Sequence, residues 1–282
     1  MADSMELVAD STRVDSMADP KGVSVDLAGG GSMSHAIVSL ARECVAEALG
    51  TAMIVLFGCG SATSMSAFES SGGSLFGVSF AFGAVVYVLV ESLGDASGAH
   101  FNPAVTLMLF LVAGLEWHKV PAFFVAQIAG AYIGGALLFG LAPIDADGTS
   151  RYSSGIGQPE ELTVAQAFGW EVVGTLCVTL TVLFIAVRPQ EHLIHPGFPI
   201  GLAVCFAIIV TGPFTGGGIN PARALGAVSF QPGFWSSRAG AHFWVYIIGP
   251  FVASLVGPAL TWLIYGNKSG MKLPRLAPAK AA

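Results

Sequence analysis

The chain has 282 residues, 54% of them hydrophobic and only 11% charged, with 36 glycines and a formal net charge of −6. A soluble protein of this length carries about twice that charged fraction to cover its surface, so a water-soluble globular protein is excluded. The acidic balance says little about partners, because six acidic residues lie in the first 35 positions, and no nucleic-acid partner is expected.

That opening stretch is rich in Ser, Asp, Met and Gly and has no apolar run. It lacks a basic start and an apolar core, so it is not read as a cleavable signal. Residues 1–38 are expected to form a disordered acidic tail. Apolar runs that approach or reach the roughly 20 residues needed to span a bilayer then follow, at about 43–60, 75–93, 120–142, 164–187, 197–212 and 241–265. Shorter apolar pieces lie at about 103–112 and 221–230. The membrane-embedded part is expected over 39–266, with a first repeat at about 39–142 and a second at about 163–266, and residues 267–282 as a cytoplasmic tail.

Cys44, Cys59, Cys177 and Cys205 all fall in or beside these spans without a CxxC pair. They read as small apolar residues packed between helices, with no metal site or disulfide framework. Basic residues set the orientation. With the N-terminus in the cytoplasm, nine fall on that side and two, Arg151 and Arg238, on the other; both termini are expected to be cytoplasmic.

The chain is written twice. Residues 46–51 read AEALGT and residues 170–175 read WEVVGT. The shared Glu-x-x-Gly-Thr precedes an Asn-Pro-Ala by 55 residues in one half (Glu47 to Asn102) and by 49 in the other (Glu171 to Asn220). Each half holds three spans and one short piece, and an odd number makes the second half enter the membrane from the opposite face. Such an inverted repeat places a pathway at the interface between halves.

The Asn-Pro-Ala segments, Asn102-Pro103-Ala104 and Asn220-Pro221-Ala222, begin helices. Pro suits the first helical turn, where its missing N–H has no intrahelical partner, and Asn is a strong N-cap. The apolar stretches that follow are too short to span. Each reads as a re-entrant half-helix preceded by Gly-rich chain, which membrane depth tolerates only inside protein or along a watery cavity. Two such helices would meet N-terminus to N-terminus, each end carrying about half a positive charge. Two Asn amides beside those ends can donate to a water or alcohol oxygen. A cation meets the wrong potential, and a water held by its oxygen cannot take a proton from the next in line.

In the stretches SGAHFNPAVT (97–106) and GGGINPAR (216–223) the chain closely resembles the aquaporin, or major intrinsic protein, family. TGPFTGGGINPAR (211–223) is most similar to plant tonoplast-type members. The resemblance implies an all-α membrane fold of six transmembrane helices plus two re-entrant half-helices, a homotetramer with one pore per subunit, and no cofactor. Counted from the two Asn residues, the family's narrowest ring falls on Phe82, Ile208, Gly217 and Arg223. Arg223 would supply fixed positive charge and N–H donors, and an Arg at membrane depth is functional by default. Glu47 and Glu171 would accept hydrogen bonds from the re-entrant loops, and His100 would face the cytoplasmic vestibule.

The ring departs from each common pattern. Water-selective members usually have His where Ile208 stands; glycerol-type members usually have Asp where Ala224 stands and an aromatic where Gly217 stands. Of the aromatic pair that water-type members carry in the last span, only Tyr246 is present, followed by Ile247. The four thiols are expected away from the ring. His192 and His195, in the connection 188–199, are expected in a solvated loop.

No Ser/His/Asp cluster, phosphate loop or metal spacing points to an enzyme. The expected function is a passive channel for water and other small uncharged solutes such as ammonia, urea, hydrogen peroxide or glycerol, in a plasma or vacuolar membrane. Two alternatives remain open: an inverted-repeat secondary transporter, and a closed-pore junctional membrane protein.

Overall fold

The structure is a computed structural model that describes residues 31–67, 74–188 and 195–272. Residues 1–30, 68–73, 189–194 (with His192) and 273–282 lie outside the described residues, so most of both expected tails does too. Met1–Val38 forms one unit, described only over residues 31–38, and Ser39–Ala282 forms a second. Residues 31–38 are helical, which corrects the expectation of a disordered tail running to residue 38.

Helix α1 (Gly31–Met53) passes through a π-helical stretch, Ile54–Cys59, into α2 (Gly60–Ala67). Then come α3 (Leu75–Ser97), the short α4 (Pro103–Val112) and α5 (Lys119–Leu141). The second half repeats the order with α6 (Val164–Val182), itself ending in a π stretch (Leu183–Val187), α7 (Gly197–Thr215) and the short α8 (Pro221–Val228). A four-residue helix, α9 (Arg238–Ala241), precedes α10 (Val245–Tyr265). Among the described residues, six helical stretches are long and apolar enough to cross a membrane.

Two boundaries differ from those read in the sequence. The first candidate span covers Ser34–Ala67, longer than 43–60, because Ser, His and Arg continue a helix without adding to its hydropathy. The last begins at Val245 rather than at 241. Phe243 and Trp244 are apolar, but their rings pack on Phe234, Trp235 and Phe168 in a turn instead of extending the helix.

Small residues set the helix crossings. A Cβ on Gly83 of α3 would lie 2.5 Å from the Gly201 carbonyl oxygen of α7, and one on Gly201 would lie 2.5 Å from the Gly83 oxygen. Gly130 and Gly134 of α5 touch the backbone of Ala48 and Ala52 on α1. Such contacts bring helices together where lipid offers no hydrophobic drive to do so. Each half-helix is held by the last span of the other half. Gly226 of α8 packs on Ala131 of α5, and Ser254 of α10 donates to the Ala104 carbonyl of α4 at 2.6 Å.

Candidate functional site

Both short helices start as their sequences dictate. Asn102 caps α4 in extended backbone (φ −154°), its Oδ1 accepting from the Ala104 N–H at 2.9 Å. Asn220 caps α8 in the same way (φ −149°), its Oδ1 accepting from the Ala222 and Arg223 N–H groups, each at 3.1 Å. Pro103 and Pro221 occupy the first turns.

The amides then cross between the halves. Asn102 Nδ2 donates to the Ile219 carbonyl at 3.0 Å, and Asn220 Nδ2 donates to the Phe101 carbonyl at 2.7 Å. Each Asn thus donates to the carbonyl of the residue preceding the other. Those two residues have left-handed backbone, φ +49° at Phe101 and +40° at Ile219, a strained conformation for bulky side chains. An amide has two N–H donors, so each Asn keeps one beyond its cross-loop bond.

Buried carboxylates hold that geometry. Glu47 accepts from the backbone N–H groups of His100 (2.9 Å) and Phe101 (2.7 Å), from Ser97 Oγ (2.6 Å) and from Gln127 Nε2 (2.7 Å). Glu171 accepts from the Gly218 and Ile219 N–H groups at 3.0 and 2.6 Å. Bonds to a charged acceptor are about twice as strong as neutral ones, which suits two loops that lack regular backbone pairing. Ser97 and Gln127 were not singled out in the sequence. Each is a single polar residue whose partner lies 50 or 80 positions away.

A cavity of about 530 Å³ runs past this junction. It is lined by Asn102, Asn220 and His100, and by all four residues counted for the ring: Phe82, Ile208, Gly217 and Arg223. The remaining wall is mainly aliphatic, with Glu91 and Asp95 also lining it. His100 is buried, its Nδ1 3.1 Å from Thr106 Oγ1 and its ring edge-on to Phe123. Glu47 and Glu171 do not line the cavity; their oxygens stand behind the loops. Gly217 has φ +62°, and a Cβ there would come within 3.1 Å of Ile208 Cγ1. The two ring positions are therefore in contact, and only glycine fits the backbone without strain.

Arg223 is 2% exposed. Its guanidinium lies over the Phe82 ring at 4.8 Å and donates from Nη2 to the Ser154 carbonyl at 3.1 Å. Nε and Nη1 have no hydrogen-bond acceptor among the described residues. Cys59, fully buried, sets its thiol beside the same guanidinium, so the expectation that every thiol stands away from the ring is corrected. A second cavity, of about 720 Å³, is lined by Gly155, Gly216 and Gln158 and approaches Arg223 from the α2 side. Tyr246 is fully buried and its hydroxyl lies 3.2 and 3.1 Å from the Gly157 and Thr215 carbonyls, so it braces the connection between α5 and α6 against the end of α7. His195, in contrast to a free loop residue, sits 3.0 Å from Glu91.

A family profile described as Major intrinsic protein matches residues 34–265. Aquaporin-8 of Rattus norvegicus is 32% identical over 228 residues, covering 80% of this chain and 82% of that relative. A probable NIP-type aquaporin of Nicotiana alata is 28% identical over 227 residues, 79% of this chain and 78% of its own length. The likeness to tonoplast-type members rests on the second loop alone. The solved aquaglyceroporin from Plasmodium falciparum superposes with a TM-score of 0.66 over 82% of this chain and 98% of that one, at 23% identity, a likeness of fold. On the profile match and the identity to these relatives, the chain belongs to the major intrinsic protein family.

Proposed function

We propose that the protein is a passive transmembrane channel for water and small uncharged solutes, with Asn102, Asn220 and the ring Phe82, Ile208, Gly217 and Arg223 as its selecting groups. One observation carries the reading. Two helix N-termini, cross-bonded through their capping Asn side chains, open into a single cavity that is also lined by an Arg with two guanidinium nitrogens that have no acceptor among the described residues. Donors and positive helix ends at one point favour an oxygen that accepts and disfavour a cation.

A secondary transporter needs charged groups to bind a coupling ion at the midplane. Glu47 and Glu171 are engaged with backbone N–H groups instead. A closed-pore junctional protein has no use for unpartnered donors on a cavity wall. The aliphatic Ile208 and the absence of a side chain at Gly217 favour a ring wide enough for ammonia, urea, hydrogen peroxide or glycerol. A homotetramer with cytoplasmic termini, in a plasma or vacuolar membrane, completes the proposal.

Stopped-flow uptake in proteoliposomes, solute by solute, tests it. A channel gives flux that rises linearly with concentration and ignores ion gradients. Saturating, ion-coupled uptake would identify a transporter, and no flux above empty vesicles a junctional protein.

A further inference from the structure

We infer that Gln231, with Thr63, positions Arg223 and so sets solute selectivity, although neither residue lines the cavity that contains the ring. The inference rests on the channel reading above. It follows from what holds the Ser154 carbonyl, which accepts from the Arg223 guanidinium.

Ser154 lies in the connection between α5 and α6, and its carbonyl can restrain Arg223 only if that segment is itself fixed. Gln231 fixes it. Its Oε1 accepts both the Ser154 backbone N–H, at 2.9 Å, and the Ser154 hydroxyl. The same hydroxyl oxygen accepts the Ile156 N–H at 3.1 Å, which closes the turn around the carbonyl. Gln231 in turn is tied to the end of α8, its own N–H bonding the Val228 carbonyl at 3.1 Å. Tyr152 reaches the same helix end, donating to the Ala227 carbonyl at 2.6 Å. The connection is therefore strapped to the last turn of α8 at Ala227 and to Gln231 just beyond it, and meets the first turn of α8 at Arg223.

Thr63 of α2 ties the strap from the other side. Its hydroxyl donates to the Ser153 carbonyl and accepts the Ser153 N–H, both at 3.1 Å. The guanidinium is held through Nη2 by this assembly, which leaves Nε and Nη1 directed elsewhere and unpartnered. Release of Ser154 removes the backbone carbonyl that fixes the plane of the guanidinium. A mobile Arg223 averages over wider apertures, and larger solutes gain more from this than water does.

The test measures urea and water permeability of the full chain in the same proteoliposomes. Gln231→Leu keeps the side-chain bulk and removes the acceptor; Gln231→Glu keeps an acceptor oxygen at the same reach. The urea-to-water ratio is expected to rise roughly threefold or more in Gln231→Leu, a change of about 0.65 kcal/mol in relative barrier, and to return to the parent value in Gln231→Glu. Thr63→Val releases the other side of the strap and is expected to shift the ratio in the same direction, which keeps the test decisive if Gln231→Leu does not fold. A parent that conducts water while the ratio stays unchanged in these variants overturns the positioning role. So does a proportional fall of both fluxes, which marks mere loss of folded protein. A parent that conducts nothing overturns the channel reading itself.

Discussion

Ile208 offers a passing molecule no hydrogen bond, and it stands in contact with a position that has no side chain. Water crosses such a ring with fewer partners than it has in bulk, whereas a solute with apolar surface loses less. Ile208→His narrows the aperture and adds a polar partner. Urea permeability is expected to fall roughly tenfold, about 1.4 kcal/mol of added barrier, while water still flows. Equal urea flux in parent and variant would remove Ile208 from the ring. Gly217 is a poor site for the complementary experiment, because any side chain there costs about 1–2 kcal/mol in left-handed backbone and also crowds Ile208. Cys59 gives a cleaner probe of the ring. A small mercurial is expected to block water flow slowly, as befits a fully buried thiol, and Cys59→Ala is expected to be insensitive. Block that persists in Cys59→Ala would point to another thiol, such as Cys205 on the Ile208 helix.

At the scale of elements, the half-helices are legible in the sequence because their signals are local. Asn at the cap, Pro in the first turn and a short apolar run each act within a few residues. The partners of Glu47 and Glu171 are legible only through the family resemblance, because the loop N–H groups they hold lie about 50 positions away. The strap from Tyr152 to Ile156 is not. Its key group is a backbone carbonyl, which every residue carries, and its anchors Thr63 and Gln231 are 91 and 77 positions from Ser154, polar residues of ordinary kind. The Cys59 thiol beside Arg223 is not legible either, because the two residues lie 164 positions apart and no local pattern links them.

The start of the expected C-terminal tail makes contacts of its own at this scale. Sequence places a tail from residue 267, yet the Lys272 N–H bonds the Val112 carbonyl at 2.5 Å, and Met271 packs against the core. This segment supplies a partner for an orphan carbonyl at the end of α4. A chain ending at Lys272 is expected to match the parent in thermal stability in detergent. One ending at Gly270 is expected to lose about 1–2 kcal/mol and to unfold several degrees lower. Identical melting of the two would show that the contact adds nothing.

For the whole molecule, the inverted repeat explains why two incomplete helices are stable at all. Each half supplies a loop that its own spans cannot satisfy, and the other half completes it. Asn102 bonds Ile219, Asn220 bonds Phe101, α5 backs α8 and α10 backs α4. The result is one site with positive helix ends and unsatisfied donors facing the same passage, and no carboxylate beside the two Asn residues on its wall. On the proposed function the consequence is electrical rather than steric: oxygen-held water is expected to pass without a proton following it. The most direct measurement follows water and protons in the same proteoliposomes, osmotic shrinkage by light scattering and an imposed pH gradient by an enclosed dye. Shrinkage is expected to be much faster than in empty vesicles, while the pH gradient decays no faster than theirs. A gradient that collapses in step with the water flow would contradict the account.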